Sequence, residues 1–355
     1  MKKVLMKGNE ALAEGAIAAG CRHYFAYPIT PQNELVEHLA LRMPKVGGLA
    51  LQAESEVSAI NMVYGAAAAG ARAMTSSSSP GVSLKMEGVS YIAGAELPAL
   101  IVNVQRGGPG LGSIQPSQAD YFQATKGGGH GDYHCIVLAP SSVQEMADHA
   151  VLAFELADKY RCPSMILSDG VLGQMMEPVV LPEPVDPSTI PAKPWALTAG
   201  KHGKDRAVAN SLFIDSNDLE AHNHRLQAKY REIEQNEIRW EGYRLEGAEV
   251  VVVAYGIAAR VARSAIDALG PDAKVGMLRP ITLWPFPTEA IRDLADTAKC
   301  FLSLELSAGQ MVEDVRLAVN GKAPVEFYGR MGGIVPTPNE VTDVLKKLIK
   351  TPALV

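Results

Sequence analysis

Residues 99–112 read ALIVNVQRGGPGLG, so a short apolar run is followed directly by a polar, glycine-rich segment. An apolar run of this length, interrupted only by Asn103, is typical of a strand that a parallel sheet buries on both faces. Comparable runs recur between stretches with helical patterns, at 24–27, 49–51, 72–74, 135–138 and 164–167. Strands that alternate with helices in this way predict an α/β fold with a doubly wound, mostly parallel sheet.

Residues that favour the ends of helices lie between these predicted strands. Asn9 and Ser55 are good N-caps, and Thr30 followed by Pro31 is a common beginning for a helix. The run 63–70, VYGAAAAG, consists mainly of small side chains. We expect its backbone to pack closely against a neighbour, with a partner chain as one option.

Composition divides the chain into three parts. Residues 1–175 form the α/β domain that these strands build. Prolines are frequent in the next part, 176–248, which reads as an extended connector followed by a charged surface helix at 217–241. The run VVVVA at 250–254 is typical of a buried strand and opens a second α/β domain, 249–355.

The composition excludes several classes of partner. The 355 residues are 47% hydrophobic and carry a formal net charge of −6, which disfavours a nucleic-acid or anionic-membrane surface. The N-terminal residues lack the basic and then apolar order of a secretion signal, and no apolar run approaches the ~20 residues that span a bilayer. We therefore expect a cytoplasmic protein that binds neither nucleic acid nor membrane.

The chain has few cysteines, and they are scattered. None of them forms a CxxC pair, which disfavours a zinc ribbon and a ferredoxin-type cluster. We expect no metal ligands from this chain. The cysteines are Cys21, Cys135, Cys162 and Cys300.

Ligands of an open parallel sheet bind beyond the carboxyl ends of its strands, so the segments that follow the predicted strands are the places to search. Four such segments are polar, and each has an ordinary alternative interpretation: a helix cap, acidic residues in a first helical turn, a polar loop or a surface arginine. Hydroxyls, carboxylates and an arginine together predict a crevice for an anionic ligand. The segments are YPITP at 27–31, ESE at 54–56, TSSSSPG at 75–81 and RGGPGLG at 106–112.

Several familiar reaction types have no support in this sequence. The glycines of 106–112 have the wrong spacing for a dinucleotide site, no P-loop motif is present, and the GxSxG pattern of hydrolases is absent. His130, in a glycine-rich loop, is a candidate acid–base group, although a loop histidine without that role is the more ordinary interpretation. His222 and His224 fall in the charged helix, where we expect them to face solvent.

Five segments, in their order along the chain, resemble the α subunit of the 2-oxo acid:ferredoxin oxidoreductases. The segment LRPITLWPFP, 278–287, resembles the start of that family's second, transketolase C-terminal-like domain. The motif QPSQADY at 115–121 and the three glycines before His130 indicate the 2-oxoisovalerate (branched-chain) branch, with the 2-oxoglutarate branch next. The five segments are 27–31, QAESE at 52–56, GA at 65–66, 75–81 and GAELP at 94–98.

The resemblance implies a cofactor site shared by two subunits. In this family the α chain holds the aminopyrimidine of thiamine diphosphate, and the β subunit binds the diphosphate and its Mg²⁺. SDG at 168–170 is only a fragment of the family's diphosphate motif, so this chain is expected to supply half of the site. The implied reaction is the coenzyme-A-dependent oxidative decarboxylation of a 2-oxo acid. Electrons would pass to ferredoxin through 4Fe-4S clusters on a cluster-bearing, ferredoxin-like partner subunit.

The resemblance also assigns roles to residues. Glu56 matches the carboxylate that faces the pyrimidine ring and favours its imino tautomer, which can then take the proton of the thiazolium carbon. Glu54 is the rival for that role. Further contacts with the cofactor are assigned to Pro28, Ile29 and Thr30.

The substrate is assigned to a second set of residues. Thr30 and Arg106 match the groups that bind the carboxylate of the 2-oxo acid, one through its hydroxyl and the other through its planar fork. Ser78 is assigned to the substrate as well. The pocket for the substrate's side chain is not identified by these motifs; Lys126 and the serines at 76–79 are candidates for a second anchor.

Two other interpretations stay open. The chain could be a structural subunit whose site has lost its chemistry, but Thr30, Glu56 and Arg106 together favour an enzyme. It could also be a different α/β enzyme that binds an acyl-CoA or a nucleotide, although it lacks a nucleotide-binding glycine motif.

Overall fold

The structure, a computed structural model, describes residues 3–197 and 207–350. Strands and helices alternate along most of the chain, as the sequence predicts. The strands are β1 (Val4–Lys7), β2 (His23–Ala26), β3 (Leu49–Gln52), β4 (Ala73–Ser77), β5 (Ala99–Gln105), β6 (Ile136–Leu138), β7 (Pro163–Asp169), β8 (Met176–Val179), β9 (Trp240–Tyr243), β10 (Val250–Val253), β11 (Val275–Pro280), β12 (Thr282–Trp284), β13 (Cys300–Glu305) and β14 (Val325–Gly329). The α-helices are α1 (Gly8–Ala18), α2 (Asn33–Arg42), α3 (Glu56–Ala68), α4 (Ser79–Gly94), α5 (Tyr121–Thr125), α6 (Val143–Tyr160), α7 (Gly170–Gln174), α8 (Ser216–Asn236), α9 (Gly256–Leu269), α10 (Thr288–Leu294), α11 (Met311–Val319) and α12 (Pro338–Lys350).

Seven strands form the first sheet, in the order β12-β6-β7-β5-β4-β2-β3. Neighbouring strands are parallel except for β12, which runs antiparallel to β6. The register pairs Ser77 with Asn103 and Gln105 with Asp169, so these polar residues share the carboxyl edge of the sheet. The predicted doubly wound parallel sheet is confirmed.

Apolar cores lie on both faces of this sheet because successive strand residues point to opposite sides. Ile101 packs into the core beneath α3 and α4, and Leu100 and Val102 pack into the core beneath α1 and α6. Helix α1 approaches α6 closely, since a Cβ on Gly15 would lie only 2.2 Å from the carbonyl oxygen of Ala147. With both faces covered, a ligand must approach the sheet from its edges.

The second sheet has the order β14-β13-β10-β11-β9, and only β9 is antiparallel to its neighbour. Its central strand β10 confirms the strand predicted at 250–254. The segment 278–287 contributes to both sheets: β11 ends in it, and β12, which was not predicted, joins the first sheet. This crossover ties the two domains through the backbone.

Buried polar contacts make a second tie between the domains. The side-chain amide of Gln118 donates to the carbonyl of Tyr255 (2.9 Å), and its oxygen accepts from the amide of Leu306 (3.0 Å). Arg279, only 3% exposed, makes a two-pronged ion pair with Glu145 of α6 at 2.7 and 2.9 Å. These links hold the second domain against the carboxyl edge of the first sheet.

The structure contradicts the prediction that Thr30 and Pro31 begin a helix, because α2 begins at Asn33. The carbonyl of Pro31 accepts hydrogen bonds from the side chains of Asn9 (3.0 Å) and Gln174 (3.2 Å) instead of from a helical amide. Asn9 therefore makes a tertiary contact and is not the N-cap predicted for α1. The segment after β2 is held as a turn by its neighbours.

The charged helix is confirmed as α8, but one side of it is buried. His222, predicted to face solvent, is 5% exposed; its ring stacks on Phe213, and its Nε2 lies 2.8 Å from the carbonyl oxygen of Gly94. The prediction was wrong because α8 packs on the first domain. His224 is exposed as predicted. Strand β9 and the antiparallel β1–β8 pair were not predicted, and residues 198–206 of the predicted connector lie outside the described residues.

The run 63–70 makes only part of the close contact predicted for it. Two of its alanines are buried, but a Cβ on Gly65 would meet no described residue within 4 Å. The close approach of α3 and α4 instead uses Gly88, where a Cβ would lie 2.5 Å from the side chain of Ile60. Contact of this run with a partner chain stays a prediction.

Candidate functional site

The four predicted ligand segments meet at the carboxyl edge of the first sheet. Residues 27–31 follow β2, 54–56 follow β3, 75–81 include the end of β4 and the start of α4, and 106–112 follow β5. Hydrogen bonds and side-chain contacts join all four. Parallel strands bring these segments together because their carboxyl ends point the same way.

Arg106 and Thr30 are neighbours in this site. The guanidinium of Arg106 is buried, at 6% exposure; Nη1 donates to the carbonyl of Thr30 and Nη2 to that of Leu111, both at 3.0 Å. Its Nε is buried and has no hydrogen-bond partner within residues 3–197 and 207–350. Two of the five N–H groups of Arg106 thus fix the surrounding loops, and the others remain for a ligand.

The serines of the segment 75–81 divide into two kinds. Ser76 and Ser79 are occupied: Ser76 donates to the side chain of Gln32 at 2.5 Å, and Ser79 donates to Asp120 at 2.5 Å. The hydroxyls of Ser77 and Ser78 are buried and have no partner among the described residues. Two free hydroxyls therefore line the turn between β4 and α4.

Asp120 supports the turn between β4 and α4 and was not identified from the sequence. Its carboxylate accepts from the hydroxyl of Ser79 and from the side-chain amide of Asn103 (2.9 Å). Ser79 in turn accepts from the backbone amide of Arg106 at 3.0 Å. Burial raises the pKa of Asp120, although the bonds from Ser79 and Asn103 favour its ionised form. This network fixes the end of β5 against the start of α4.

Glu56, and not Glu54, points toward the serine turn. Ser55 caps α3 by accepting from the amide of Ser58 (3.2 Å), as predicted, and this places Glu56 in the first turn of the helix. Glu56 is 7% exposed, and one carboxylate oxygen lies 2.5 Å from where a Cβ on Gly81 would stand. Glu54 is exposed and accepts a bond from Ser58 at the surface.

A buried lysine lies behind these groups. Lys85 of α4 is 0% exposed, and its Nζ donates to the hydroxyl of Thr75 (2.6 Å) and to the carbonyl of Ser76 (2.8 Å). Burial lowers its pKa to about 7, against the opposing charge of Glu56. Sequence reasoning missed Lys85; the available signal was a lone lysine one turn after Gly81 in a helix of small and apolar residues.

Asp169 joins the same edge to the second domain. Its carboxylate is 1% exposed and accepts from the amides of Val171 (2.8 Å) and Leu172 (3.1 Å) at the start of α7. Burial raises its pKa to about 6, while these amides and that of Ile257 in α9 favour the ionised form. The fragment SDG thus serves here as a helix cap between domains.

The other predicted residues lie outside this cluster of contacts. Pro28 is exposed and Ile29 is half-buried in the turn after β2. His130 is exposed and packs edge-on against Tyr91. Lys126 forms an ion pair with Asp314 of the second domain, so the ammonium of Lys126 already has a carboxylate partner.

Unpartnered polar atoms at this edge indicate a polar ligand. A buried polar atom without a hydrogen bond costs about 1–3 kcal/mol, so a group of them calls for a partner. Within the described residues, the carboxylate of Glu56 also makes no hydrogen bond. Donors and acceptors beside a carboxylate fit the edge of an aminopyrimidine, which presents ring nitrogens and an amino group. The unpartnered buried polar atoms at this edge, among the described residues, are Gln32 Nε2, Ser77 Oγ, Ser78 Oγ and Arg106 Nε.

Comparison with known proteins finds two family domains in the chain. The family described as "Pyruvate flavodoxin/ferredoxin oxidoreductase, thiamine diP-bdg" matches residues 14–237. The family described as "Pyruvate:ferredoxin oxidoreductase core domain II" matches residues 248–341.

Curated relatives extend over the whole chain. This chain is 54% identical over 349 residues to the ketoisovalerate oxidoreductase subunit VorB of Methanothermobacter marburgensis, and the alignment covers 98% of this chain and 97% of that protein. It is 35% identical over 373 residues to the 2-oxoglutarate synthase subunit KorA of Methanothermobacter thermautotrophicus, covering 98% and 99%.

Solved structures share the fold. The 2-oxoglutarate:ferredoxin oxidoreductase from Magnetococcus marinus, with 2-oxoglutarate, coenzyme A and succinyl-CoA bound, aligns with a TM-score of 0.86 at 29% identity; the alignment covers 98% of this chain and 66% of that chain. A split-gene transketolase aligns with a TM-score of 0.59 at 14% identity, which is a likeness of fold alone.

Proposed function

The chain belongs to the pyruvate:ferredoxin oxidoreductase family of 2-oxo acid oxidoreductases, and from that premise we propose that it supplies the aminopyrimidine-binding half of a thiamine diphosphate site. The observation that carries the proposal is the buried carboxylate of Glu56, which has no hydrogen-bond partner in the described chain and faces the free hydroxyl of Ser77 across Gly81. Thiamine diphosphate, when bound, supplies the electron sink for decarboxylation of a 2-oxo acid.

Glu56 is the residue that we assign to the pyrimidine ring. A buried carboxylate can accept a hydrogen bond from a ring nitrogen and so hold a proton there. Burial and the approach across Gly81 support Glu56 over the exposed Glu54. Ile29 and Pro28, in the turn that follows β2, would contact the ring by packing.

The carboxylate of the 2-oxo acid is assigned to Arg106, Thr30 and Ser78. The Nε of Arg106 and the hydroxyl of Ser78 are buried and have no partner in the part of the chain that the structure describes, and the carbonyl of Thr30 accepts from the guanidinium. A charge-assisted bond from arginine is among the strongest contacts that a carboxylate can make. These residues would orient the acid and exclude water from it, while the chemistry takes place on the cofactor.

We infer that the enzyme works only as an assembly. In the proposed complex a β subunit binds the diphosphate and Mg²⁺, a cluster-bearing, ferredoxin-like subunit holds 4Fe-4S clusters, and coenzyme A and ferredoxin are the acyl and electron acceptors. In the described part of the chain, no three His, Cys, Asp or Glu side chains are arranged to hold a metal ion.

We propose the cytoplasm as the compartment. The supporting observation is that the four cysteines are free thiols, as is usual under reducing conditions. No helix within residues 3–197 and 207–350 is both long and apolar enough to cross a membrane.

The preferred substrate is proposed to be 2-oxoisovalerate. The relatives named for ketoisovalerate are 54% identical to this chain. The KorA relatives that are named for 2-oxoglutarate and match most of this chain are 35–38% identical to it. The second candidate is 2-oxoglutarate, which the Magnetococcus marinus enzyme binds in a structure with a TM-score of 0.86. Lys126, a candidate second anchor for that diacid, is paired with Asp314, which favours the branched-chain acid.

The complex should be isolated without oxygen through a tag on this chain. Its coenzyme-A-dependent reduction of a viologen dye would be measured with pyruvate, 2-oxoglutarate, 2-oxoisovalerate and an aryl pyruvate. We expect turnover with the largest kcat/KM for 2-oxoisovalerate. A complex that contains all its subunits and is inactive with every acid would contradict the proposal and favour a structural role.

A further inference from the structure

Residues 207–214, AVANSLFI, form an uncharged segment that the proposed cofactor and substrate contacts do not involve. Its exposure alternates residue by residue, as in a strand that lies flat on a surface. On its outward side Val208, Leu212 and Ile214 are 74%, 69% and 92% exposed. Burial stabilises apolar side chains of this size, so three of them on one side of a segment indicate an interaction surface.

The inward side of the segment is anchored on the first domain. Ala209 packs against the core beneath α3 and α4, and the ring of Phe213 stacks on His222 with the centroids 4.8 Å apart. A Cβ on Gly94, the last residue of α4, would lie 3.2 Å from the Cβ of Ser211. The segment therefore lies at the C-terminal end of α4 and presents its other side outward.

Helix α4 connects this segment to the proposed cofactor site. It begins in the serine turn and ends at the 207–214 segment. Its outward side carries Leu84, 55% exposed, and Tyr91, 36% exposed, and Glu87 is the one exposed charged residue of the helix. An apolar side chain thus lies on each side of that single charge between the segment and the site.

Helix α3 lies beside α4 and has an outward side without any charge. Its exposed residues are Val57, Asn61, Met62 and Gly65. The one charged residue of α3 is Glu56, which is buried and faces the serine turn. The central part of a protein–protein interface is depleted of charged residues in the same way. The uncharged surface therefore extends from the 207–214 segment along α4 and α3 to Glu56.

We propose that this surface is the docking site for the subunit that binds the diphosphate of the cofactor, with Val208, Leu212 and Ile214 as its outer anchors. The inference rests on the proposed function and names where the partner binds. Continuity with the half-site selects this occupant: the surface ends at Glu56, whose carboxylate makes no hydrogen bond within the described residues, so its occupant also closes the site. A second copy of this chain would bring another aminopyrimidine half and leave the diphosphate unbound.

Photo-crosslinking of the assembled complex identifies the occupant. The photoreactive residue p-benzoylphenylalanine would replace Ile214 and, in a matched control, Leu317 of α11, an equally apolar residue that is 71% exposed in the second domain. Mass spectrometry names the chain that is captured. We expect position 214 to capture the diphosphate-binding subunit and position 317 not to capture it. Capture of a second copy of this chain, or of the cluster-bearing subunit, at position 214 would overturn the inference.

Charge substitutions measure the strength of the contact. Leu212 and Ile214 are exposed, so the double variant Leu212→Asp, Ile214→Asp should fold as the wild type does. Two unpaired carboxylates in an apolar interface should weaken binding of the diphosphate-binding subunit at least ~100-fold, whereas Leu317→Asp should leave it within about twofold. Retention of that subunit on the tagged chain during serial dilution gives the comparison.

Unaltered retention in the double variant would overturn the docking surface, and so would an equal loss in Leu317→Asp. Crosslinking and retention need no cofactor. A wild-type complex that crosslinks as expected but binds no thiamine diphosphate would therefore refute the proposed function and support the docking surface.

Discussion

Replacing Gly81 with alanine should separate the geometry of the site from the stability of the fold. A Cβ at this position would stand 2.1 Å from Ser77 Oγ and 2.5 Å from an oxygen of Glu56. Ordinary van der Waals contact begins near 3.4 Å, so the carboxylate must retreat by about 0.9 Å and the hydroxyl by about 1.3 Å. Both are ends of short side chains that can rotate, so the backbone need not move.

The expected effect on activity is large and the effect on folding is small. A displacement of about 1 Å in a catalytic constellation can cost about 100-fold in rate. Alanine is the better helix former by up to ~1 kcal/mol, which offsets part of the cost of rotating the two side chains. We therefore expect Gly81→Ala to lower kcat/KM about 100-fold and to change the free energy of unfolding by no more than about 1 kcal/mol.

Gly88 of the same helix supplies the matched control. A Cβ there would lie 2.5 Å from the core side chain of Ile60, an overpacking that should cost about 1–3 kcal/mol of stability. Gly88→Ala should therefore unfold more easily while the assembled complex keeps its turnover. Viologen-coupled kinetics and urea unfolding of both variants make the comparison. Wild-type kcat/KM in Gly81→Ala would rule out the role assigned to Glu56.

Three further changes test individual groups. Glu56→Gln should lower kcat about 100-fold or more, because a side chain with no carboxylate cannot hold the ring proton, while Glu54→Gln should stay within about twofold; equal losses in steady-state assays would remove the distinction. Arg106→Ala should raise KM for the 2-oxo acid about 10- to 100-fold, since a charge-assisted hydrogen bond contributes about 1.5–3 kcal/mol, and an unaltered KM would contradict its role. Asp169 has its pKa raised to about 6 by burial, so the stability that its protonated form contributes is present below about pH 4 and lost as the pH rises through 6. When the pH is lowered from 7 to 4, the free energy of unfolding in urea should rise by up to ~3 kcal/mol more for the wild type than for Asp169→Asn. Equal pH dependence of the two proteins would contradict this role of Asp169.

Features that depend on neighbouring residues in the sequence, such as strands and helix caps, could be predicted from it. The strand at 99–104 and the polar segment after it were predictable, because a buried parallel strand is mostly apolar and ligands bind beyond its carboxyl end. Ser55 was predictable as a cap since its bond to Ser58 is made within one turn. The family and its transketolase-like fold followed from the order of short motifs.

Tertiary contacts decided the features that were missed. Ser77 and Ser79 are alike in sequence, yet Ser79 is occupied because Asp120, distant in the chain, folds back onto it. His222 reads as a solvated residue of a charged helix, and only the docking of α8 buries it. Thr30 reads as a helix cap, and partners from α1 and α7 turn the next residue away from the helix.

The burial of Lys85 also depends on tertiary contacts that the local sequence does not reveal. A lysine within a helix usually lies at the surface, so its burial cannot be inferred without knowing that the end of β4 offers two acceptors. The roles proposed for Glu56, Thr30, Arg106 and Ser78 rest on family motifs and on the contacts at this edge, and they remain predictions for experiment.

We assign half of a thiamine diphosphate site to this chain. Isothermal titration of thiamine diphosphate with Mg²⁺ into the chain alone, and into the chain assembled with its partner subunits, tests it most directly. We expect saturable binding by the assembly and binding at least ~100-fold weaker by the chain alone, a difference of about 2.7 kcal/mol. Equally tight binding by the isolated chain would contradict it.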